Sequence, residues 1–196
     1  MHSLRAKLIR AGLEQNEAAP LVIVNPNSSA LFPLRRWPLE RFAELSKRLL
    51  DARADIRIVV TGTRSEAPDA QRIVEHVRSS RCVALAGETT FPELLALYAM
   101  ASVMVTNDSG PAHFASMLDL PTVVLFGPET PQLYAPLGRS AQVLYARFAC
   151  SPCVSVYNQK RSPCNRSLCL EAIPVGQVLE AVLGALRTPI SGEAAL

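Results

Sequence analysis

The feature that most constrains the fold is one repeated pattern. A short apolar run rich in Val and Ile is followed by a turn of small polar residues and then by a segment with helical spacing. The pattern starts at Leu21 and recurs along the chain. Alternating strands and helices are typical of βαβ units, so the sequence predicts an α/β fold with a parallel sheet. The strands are expected at residues 21–24, 56–60, 82–86, 103–106, 122–126 and 142–145.

The segments between these strands have the spacing of amphipathic helices. The first is expected to begin near Pro38 and the second to cover residues 68–78, each with a stripe of apolar side chains. Thr90 and Glu93 have the spacing of a capping box, which predicts that the third helix begins there. Further helices are expected around Pro111 and over residues 174–186.

Length and composition fit a single globular domain. The 196 residues correspond to about one domain, and 49% hydrophobic against 19% charged residues provides enough apolar material for a core. The longest apolar run, residues 94–105, is shorter than the roughly 20 residues that cross a bilayer, so no transmembrane segment is expected. We expect a lead-in segment at residues 1–19, one domain at 20–187 and a frayed tail at 188–196.

The charge of the chain does not indicate a nucleic-acid partner. Lys and Arg number 20 against 17 for Asp and Glu, a net charge of +3, and no dense basic run with interleaved aromatic residues is present. This small surplus is compatible with anionic ligands. The first twenty residues lack the apolar stretch and cleavage site of a secretory signal, so the reducing cytoplasm is the expected location.

Small polar loops follow the predicted strands. In a parallel sheet these loops emerge at one edge, where ligands bind in open α/β folds. The loop at residues 107–113 brings Asp108, Ser109, Gly110 and His113 to the start of a helix, where backbone N–H groups favour anions. Because Gly110 allows a phosphate to approach and Asp108 can accept hydrogen bonds from hydroxyls, a nucleotide sugar fits. The alternative is that Asp108 or Ser109 only caps the helix and that His113 is a satisfied, partly buried histidine.

Several catalytic motifs are absent from the sequence. It contains neither the G-x-G-x-x-G dinucleotide fingerprint nor a P-loop, which counts against NAD enzymes and P-loop phosphoryl transfer. It also lacks a nucleophile elbow and an H-E-x-x-H helix, so hydrolase interpretations lose their support. No cofactor is expected.

Short motifs occur in a specific order along the chain. The most specific is Asp-Ser-Gly-Pro-Ala-His at 108–113, followed by Leu-Pro-Thr at 120–122 and Phe-Gly-Pro at 126–128. The supporting elements are Arg-Arg-Trp-Pro at 35–38, Thr-Gly at 61–62 with Glu66 downstream, and a late cysteine cluster. Over residues 20–186 this order resembles the lipopolysaccharide heptosyltransferases of glycosyltransferase family 9, specifically their C-terminal, donor-binding half, whose signature is D-[ST]-G-x-x-H.

This resemblance implies the GT-B architecture, of which the chain holds one half. In that family two Rossmann-like domains face a cleft, and the C-terminal domain holds the nucleotide-heptose while the N-terminal domain holds the acceptor. The chain is therefore expected to be a Rossmann-like donor domain, with about six parallel strands and helices on both faces. The family's general base is an aspartate of the N-terminal half, so the resemblance implies that the chain alone is inactive.

The reaction implied by the resemblance is transfer of a heptose from ADP-heptose to a lipopolysaccharide core acceptor. It would proceed with inversion and without a metal, at the inner face of the inner membrane, in partnership with the missing N-terminal acceptor domain. The alternative is a non-catalytic nucleotide-binding or partner-binding module that retains the donor site.

The resemblance also implies roles for individual residues. Arg35 matches a basic residue, commonly Lys, that contacts the donor phosphates, so it is expected to stabilise the charge of the leaving group. Glu66 matches an acceptor of ribose hydroxyls. The alternatives are a solvated cationic turn at Arg35 and Arg36 and a carboxylate that favours a helix N-terminus at Glu66. The predicted substrate-binding residues are Asn25, Arg35, Thr61, Glu66, Asp108, Ser109, Gly110 and His113.

Four of the five cysteines form a late cluster at Cys150, Cys153, Cys164 and Cys169. Their spacing, C-x2-C-x10-C-x4-C, is compatible with a tetrahedral zinc site, which would be structural because four thiolates leave no open coordination position. Disulfides and packed, reduced thiols are the alternatives. No catalytic metal is expected.

Overall fold

Six parallel strands form one sheet, as the repeated pattern predicts. The computed structural model describes residues 2–13, 16, 18–29, 31–138, 140–159 and 161–187, so the predicted tail at 188–196 lies outside the described residues. The strands are β1 (Leu21–Asn25), β2 (Arg57–Val60), β3 (Cys82–Ala84), β4 (Val103–Asn107), β5 (Thr122–Phe126) and β6 (Ala141–Tyr145). Their order across the sheet is β3-β2-β1-β4-β5-β6, with every neighbouring pair parallel.

The burial of the strands explains why they could be predicted from apolar runs in the sequence. Every residue of β1, β4 and β5 is buried, because helices cover both faces of these central strands, and such strands are apolar throughout. The edge strand β6 is mostly half-buried, which accounts for its weaker signal. The structure ends β3 two residues before the predicted limit, although Leu85 still donates its N–H to Val60 O at 2.9 Å.

Helices and short helical turns connect the strands. The α-helices are α1 (His2–Arg10), α2 (Leu39–Ala52), α3 (Ala67–Val77), α4 (Phe91–Met100), α5 (Gly110–Ser116), α6 (Pro131–Tyr134), α7 (Leu168–Glu171) and α8 (Val175–Ala185). Two 3-10 turns occupy Pro33–Arg35 and Arg64–Glu66. The predicted capping box at Thr90 and Glu93 is present at the start of α4. The sequence did not predict α6 and α7, since four residues are too few to show a helical period.

The core has two principal parts, one on each face of the sheet. Val22 and Val24 of β1 belong to the part that contains α2, α3 and α8, while Ile23 belongs to the part that contains α4. This division follows from the alternation of side chains along a strand. Leu4 and Leu8 of α1 are also buried in the second part, so α1 packs on the domain. The boundary expected at residue 20 stays a prediction.

Candidate functional site

A cleft of about 550 Å³ opens at the carboxyl edge of the sheet. The loops after the first four strands contribute to it, which is the grouping that a parallel sheet imposes on them. Its lining residues are Asn25, Asn27, Ser28, Ser29, Thr61, Gly62, Thr63, Arg64, Glu66, Gly87, Thr89, Thr90, Phe91, Leu94, Ser109, Gly110, Pro111 and Phe114.

Buried amide and hydroxyl groups at the ends of β1 and β2 connect two of these loops. Asn25 Nδ2 donates to Thr61 Oγ1 at 3.1 Å, and Asn27 Nδ2 donates to Thr61 O at 3.0 Å. All three residues are buried and line the cleft. The predicted residues Asn25 and Thr61 are therefore at the site, where they hold the two loops in register.

Asn107, the last residue of β4, fixes a third segment to these loops. Its Oδ1 accepts the backbone N–H of Trp37 at 2.9 Å, and its Nδ2 donates to Pro26 O at 2.8 Å. Trp37 is itself buried and donates Nε1–H to Ile173 O at 3.1 Å, so it is a core residue and not a stacking surface. No role was predicted for Asn107, because nothing in the local pattern shows which backbone groups it meets.

Ser109 and Gly110 form the wall of the cleft on the α5 side, as predicted. Ser109 is the N-cap residue of α5, but its side chain makes no capping hydrogen bond to the helix. Its Oγ instead donates to Asn107 O at 3.2 Å. A Cβ at Gly110 would meet only Phe114 Cε2, at an ordinary contact distance of 3.9 Å. The absent side chain at this position therefore leaves space in the cleft and is not required by packing.

Glu66 lines the cleft, and its carboxylate also stabilises a helical turn. Its Oε2 accepts hydrogen bonds from Thr63 N at 2.7 Å and from Thr63 Oγ1 at 2.9 Å, which completes a capping box on the turn before α3. The structure thus supports the helix-terminus alternative. The ribose-binding role stays a prediction. Glu66 Oε1 takes no part in the capping hydrogen bonds and is the oxygen that this role would use.

An apolar wall faces the polar loops across the cleft. Phe91 begins α4 and is 53% exposed, and its ring packs edge-to-face against Phe114 with centroids 5.1 Å apart. Leu94 and Pro111 extend the same wall. These residues were not predicted, although an aromatic residue directly after the capping Thr90, at the loop edge of the sheet, was an available signal.

Arg35 lies in a charged cluster outside the cleft lining. Its Nη1 is 3.3 Å from Asp108 Oδ2 and 3.4 Å from Glu129 Oε2, and its guanidinium lies 4.7 Å from the centroid of the Phe32 ring. The Arg35 side chain is 14% exposed, against 5% for Asp108 and 1% for Glu129. The alternative of a solvated cationic turn is therefore wrong for Arg35. Glu129 is a further residue that the sequence analysis missed.

His113 does not join the other predicted residues. It is exposed on α5 and lies outside the cleft lining. The alternative of a partly buried histidine is wrong, while its role toward a ligand stays a prediction. The predicted residues thus lie in three places. The charged cluster holds Arg35 and Asp108, and the exposed face of α5 holds His113. The cleft holds Asn25, Thr61, Glu66, Ser109 and Gly110.

The four late cysteines border a second, smaller cavity of about 50 Å³. All four are free thiols, Ser162 Oγ donates to Cys153 Sγ at 3.2 Å, and burial raises the pKa of the Cys169 thiol. Within the described ranges, no three Cys, His, Asp or Glu side chains are arranged to hold a metal ion. Cys169 is buried and Cys153 half-buried, as packed thiols would be, whereas Cys150 and Cys164 are exposed, so the state of the cluster stays a prediction.

Known proteins are similar to this chain in sequence and in fold. Lipopolysaccharide heptosyltransferase 2 of Salmonella typhimurium is 36% identical over 115 residues, which are 57% of this chain and 32% of that protein. The solved structure of Escherichia coli ADP-heptose lps heptosyltransferase II is 26% identical, with a TM-score of 0.73 over 94% of this chain and 51% of that one. A family 9 glycosyltransferase from Veillonella parvula, 24% identical, superimposes with a TM-score of 0.76 over 94% of this chain and 50% of that one, which supports the fold.

The chain matches only part of each of these proteins. It spans about a third of the Salmonella protein and about half of the solved structures. No helix in the described part of the chain combines the length and apolar character of a bilayer-crossing segment. The model of glycosyltransferase family 9 (heptosyltransferase) matches residues 3–162, which are most of the sequence. The chain therefore belongs to glycosyltransferase family 9, the heptosyltransferase family.

Proposed function

We propose that the chain is the donor-binding half of a heptosyltransferase that transfers a heptose from ADP-heptose to a lipopolysaccharide core acceptor. The observation that carries this proposal is the cleft, which combines a polar floor, an apolar wall and an adjoining charged cluster at one sheet edge. The names of two relatives support this choice of donor and acceptor. One is called a lipopolysaccharide heptosyltransferase and the other an ADP-heptose lps heptosyltransferase.

Each part of an ADP group has a suitable counterpart in the cleft. The flat base would pack on the apolar wall at Phe91 and Leu94, since aromatic surfaces favour stacked or edge-to-face partners. Glu66 Oε1 would accept hydrogen bonds from the ribose hydroxyls. The diphosphate would approach Gly110, where the missing side chain leaves room beside the first backbone N–H of α5.

The charged cluster suits the sugar-transfer step. As the bond from the sugar to the diphosphate breaks, positive charge develops on the sugar ring and negative charge on the leaving group. Arg35 would lie beside that developing negative charge, and Asp108 would accept hydrogen bonds from sugar hydroxyls. The residue that deprotonates the acceptor is proposed to belong to the missing half.

Calorimetric titration with ADP tests the donor site directly. We expect the chain to bind ADP and Gly110→Val to abolish binding, because the added side chain would fill the space beside the backbone. Gly184→Val is the matched control, since a Cβ at this exposed helix position meets nothing within 4 Å. Equal ADP affinity in the wild type and Gly110→Val would remove the diphosphate from this position, and titrations with UDP and GDP would test the base.

A further inference from the structure

Arg64 is the only Lys or Arg among the described residues that line the cleft. It begins the 3-10 turn Arg64–Glu66 in the loop after β2, and it is exposed. None of the ion pairs between described residues includes its guanidinium. The cleft lining therefore contains a cationic group that can contact a ligand without first breaking a salt bridge.

The backbone of Arg64 is held against the loop that follows β3. Gly87 in that loop has a φ of 77°, and a Cβ on it would lie 2.6 Å from Arg64 Cα, so the two loops meet where no side chain fits. Gly87 also donates its N–H to Gly62 O at 2.9 Å. The capping box of Thr63 and Glu66 fixes the turn itself. The fold thus sets the position from which the Arg64 side chain enters the cleft.

Arg64 and Phe91 reach the cleft from opposite faces of the sheet. The turn that begins with Arg64 leads directly into α3, whose Ile73 and Val77 belong to the core part that contains α2 and α8. Phe91 begins α4, whose Leu97 belongs to the other core part. A flat group that packs on the Phe91 ring would therefore turn its second face toward the side of the cleft from which Arg64 comes.

The chemistry of a guanidinium suits this second face. The group is planar and cationic, so it stacks on aromatic rings and is attracted by their electron-rich faces. We propose that Arg64 covers the face of the nucleoside base that Phe91 leaves open, and that it favours purines because their ring system offers the larger stacking surface. This inference rests on the proposed function, since it requires a nucleotide in the cleft with its base at the apolar wall.

Calorimetric titration of the whole chain with adenosine, ADP and UDP tests this role. Arg64→Ala should weaken the binding of adenosine and of ADP by the same factor, about threefold to thirtyfold, because both contain the base. UDP binding should fall by a smaller factor. Arg64→Lys keeps the charge without the planar group and should restore only part of the affinity. Arg72→Ala, which removes a guanidinium from α3 that is 72% exposed, is the control and should leave all three affinities unchanged.

The possible results separate this inference from the proposed function. An equal loss for adenosine and ADP in Arg64→Ala, with a wild-type thermal unfolding curve, supports the inference. A loss confined to ADP would overturn it, because Arg64 would then contact the phosphates. Unchanged affinities in Arg64→Ala, or full recovery in Arg64→Lys, would also overturn it while leaving the donor site in place. If the wild-type chain binds neither ADP nor adenosine, the proposed function itself fails, and the inference fails with it.

Discussion

Single side chains at the strand ends set the geometry of the site. Asn107 is completely buried and connects the Trp37 backbone to the loop after β1 through hydrogen bonds of 2.9 and 2.8 Å. Replacing it removes both bonds, together with a third from Nδ2 to Asn27 O at 3.3 Å, and leaves a buried N–H and two buried carbonyl groups without this partner. Each such group costs about 1 to 3 kcal/mol.

Asn107→Leu is therefore expected to lower the free energy of unfolding by about 2 to 4 kcal/mol, because of these unsatisfied groups. Urea denaturation measures the change. Asn158→Leu is the control, since Asn158 makes hydrogen bonds of the same kind to the backbone, at 2.9 and 2.8 Å, but is exposed, so that water can replace them. Equal losses in both variants would show that burial at position 107 does not determine the cost.

The sequence predicted some of these residues and missed others for a physical reason. Asn25 and Thr61 were found because their position after a strand is enough to bring them to the sheet edge. The roles of Asn107 and Glu129 depend on which distant groups they meet, and no local pattern contains that information. Arg35 and Asp108 were both predicted, but their contact with each other and with Glu129 was not.

At the scale of the elements, the carboxylate of Glu93 connects α1 to α4, the helix that begins at the apolar wall of the cleft. Glu93 caps α4 by accepting the Thr90 N–H at 2.8 Å, and it also accepts hydrogen bonds from Lys7 Nζ at 2.6 Å and Ser3 Oγ at 2.8 Å. The hydrogen bond from Lys7 is the main reason that the pKa of Glu93 falls to about 2 from its ordinary value of 4.5. The spacing of Thr90 and Glu93 was enough to predict the capping box. The contacts of Glu93 with α1 could not be predicted, because they depend on how the helices pack.

This lowered pKa predicts how stability depends on pH. A carboxylate with a depressed folded-state pKa contributes stability above its unfolded pKa, and that contribution disappears as the pH falls through the folded value. Glu93→Gln should therefore lower the stability at pH 7 and lose its effect as the pH falls from about 4.5 toward 2. Urea unfolding across this range, with Glu44→Gln of the exposed Glu44–Arg48 pair as control, measures it. A Glu93→Gln effect that is the same at pH 7 and pH 2 would contradict the assignment.

For the whole molecule, we propose that the sheet with its helices supplies one wall of a two-walled active site. The proposed second wall positions the acceptor, and positioning contributes about 7 to 11 kcal/mol in favourable cases. We therefore expect no heptose transfer to a lipopolysaccharide core acceptor by this chain alone, and transfer when a compatible acceptor-binding half is added. Steady-state assays of the two preparations decide between an enzyme half and a non-catalytic module. Robust turnover by the chain alone would contradict the half-enzyme proposal.

In that reconstituted enzyme, Arg35→Ala should lower kcat more than donor affinity. The reason is that Arg35 is proposed to meet charge that develops as the diphosphate departs, and interactions of that kind act mainly on the transition state. Steady-state kinetics together with ADP titration separate the two effects. Arg48→Ala, which removes an exposed guanidinium from α2, is the control. An unchanged kcat in Arg35→Ala would remove the catalytic role from this side chain.

The contact between Gly127 and the cysteine-rich segment has a consequence for how this sequence can change. A Cβ at Gly127 would lie 2.6 Å from Leu170 Cγ and 3.0 Å from Cys169 Sγ, so two segments far apart in the chain compete for one small volume. Ser151 Oγ also donates to Gly127 O at 2.8 Å, which keeps the segment against the loop that carries Glu129. A larger residue at position 127 therefore requires the side chains at 169 and 170 to shift or become smaller, and positions 127 and 170 are expected to vary as a pair.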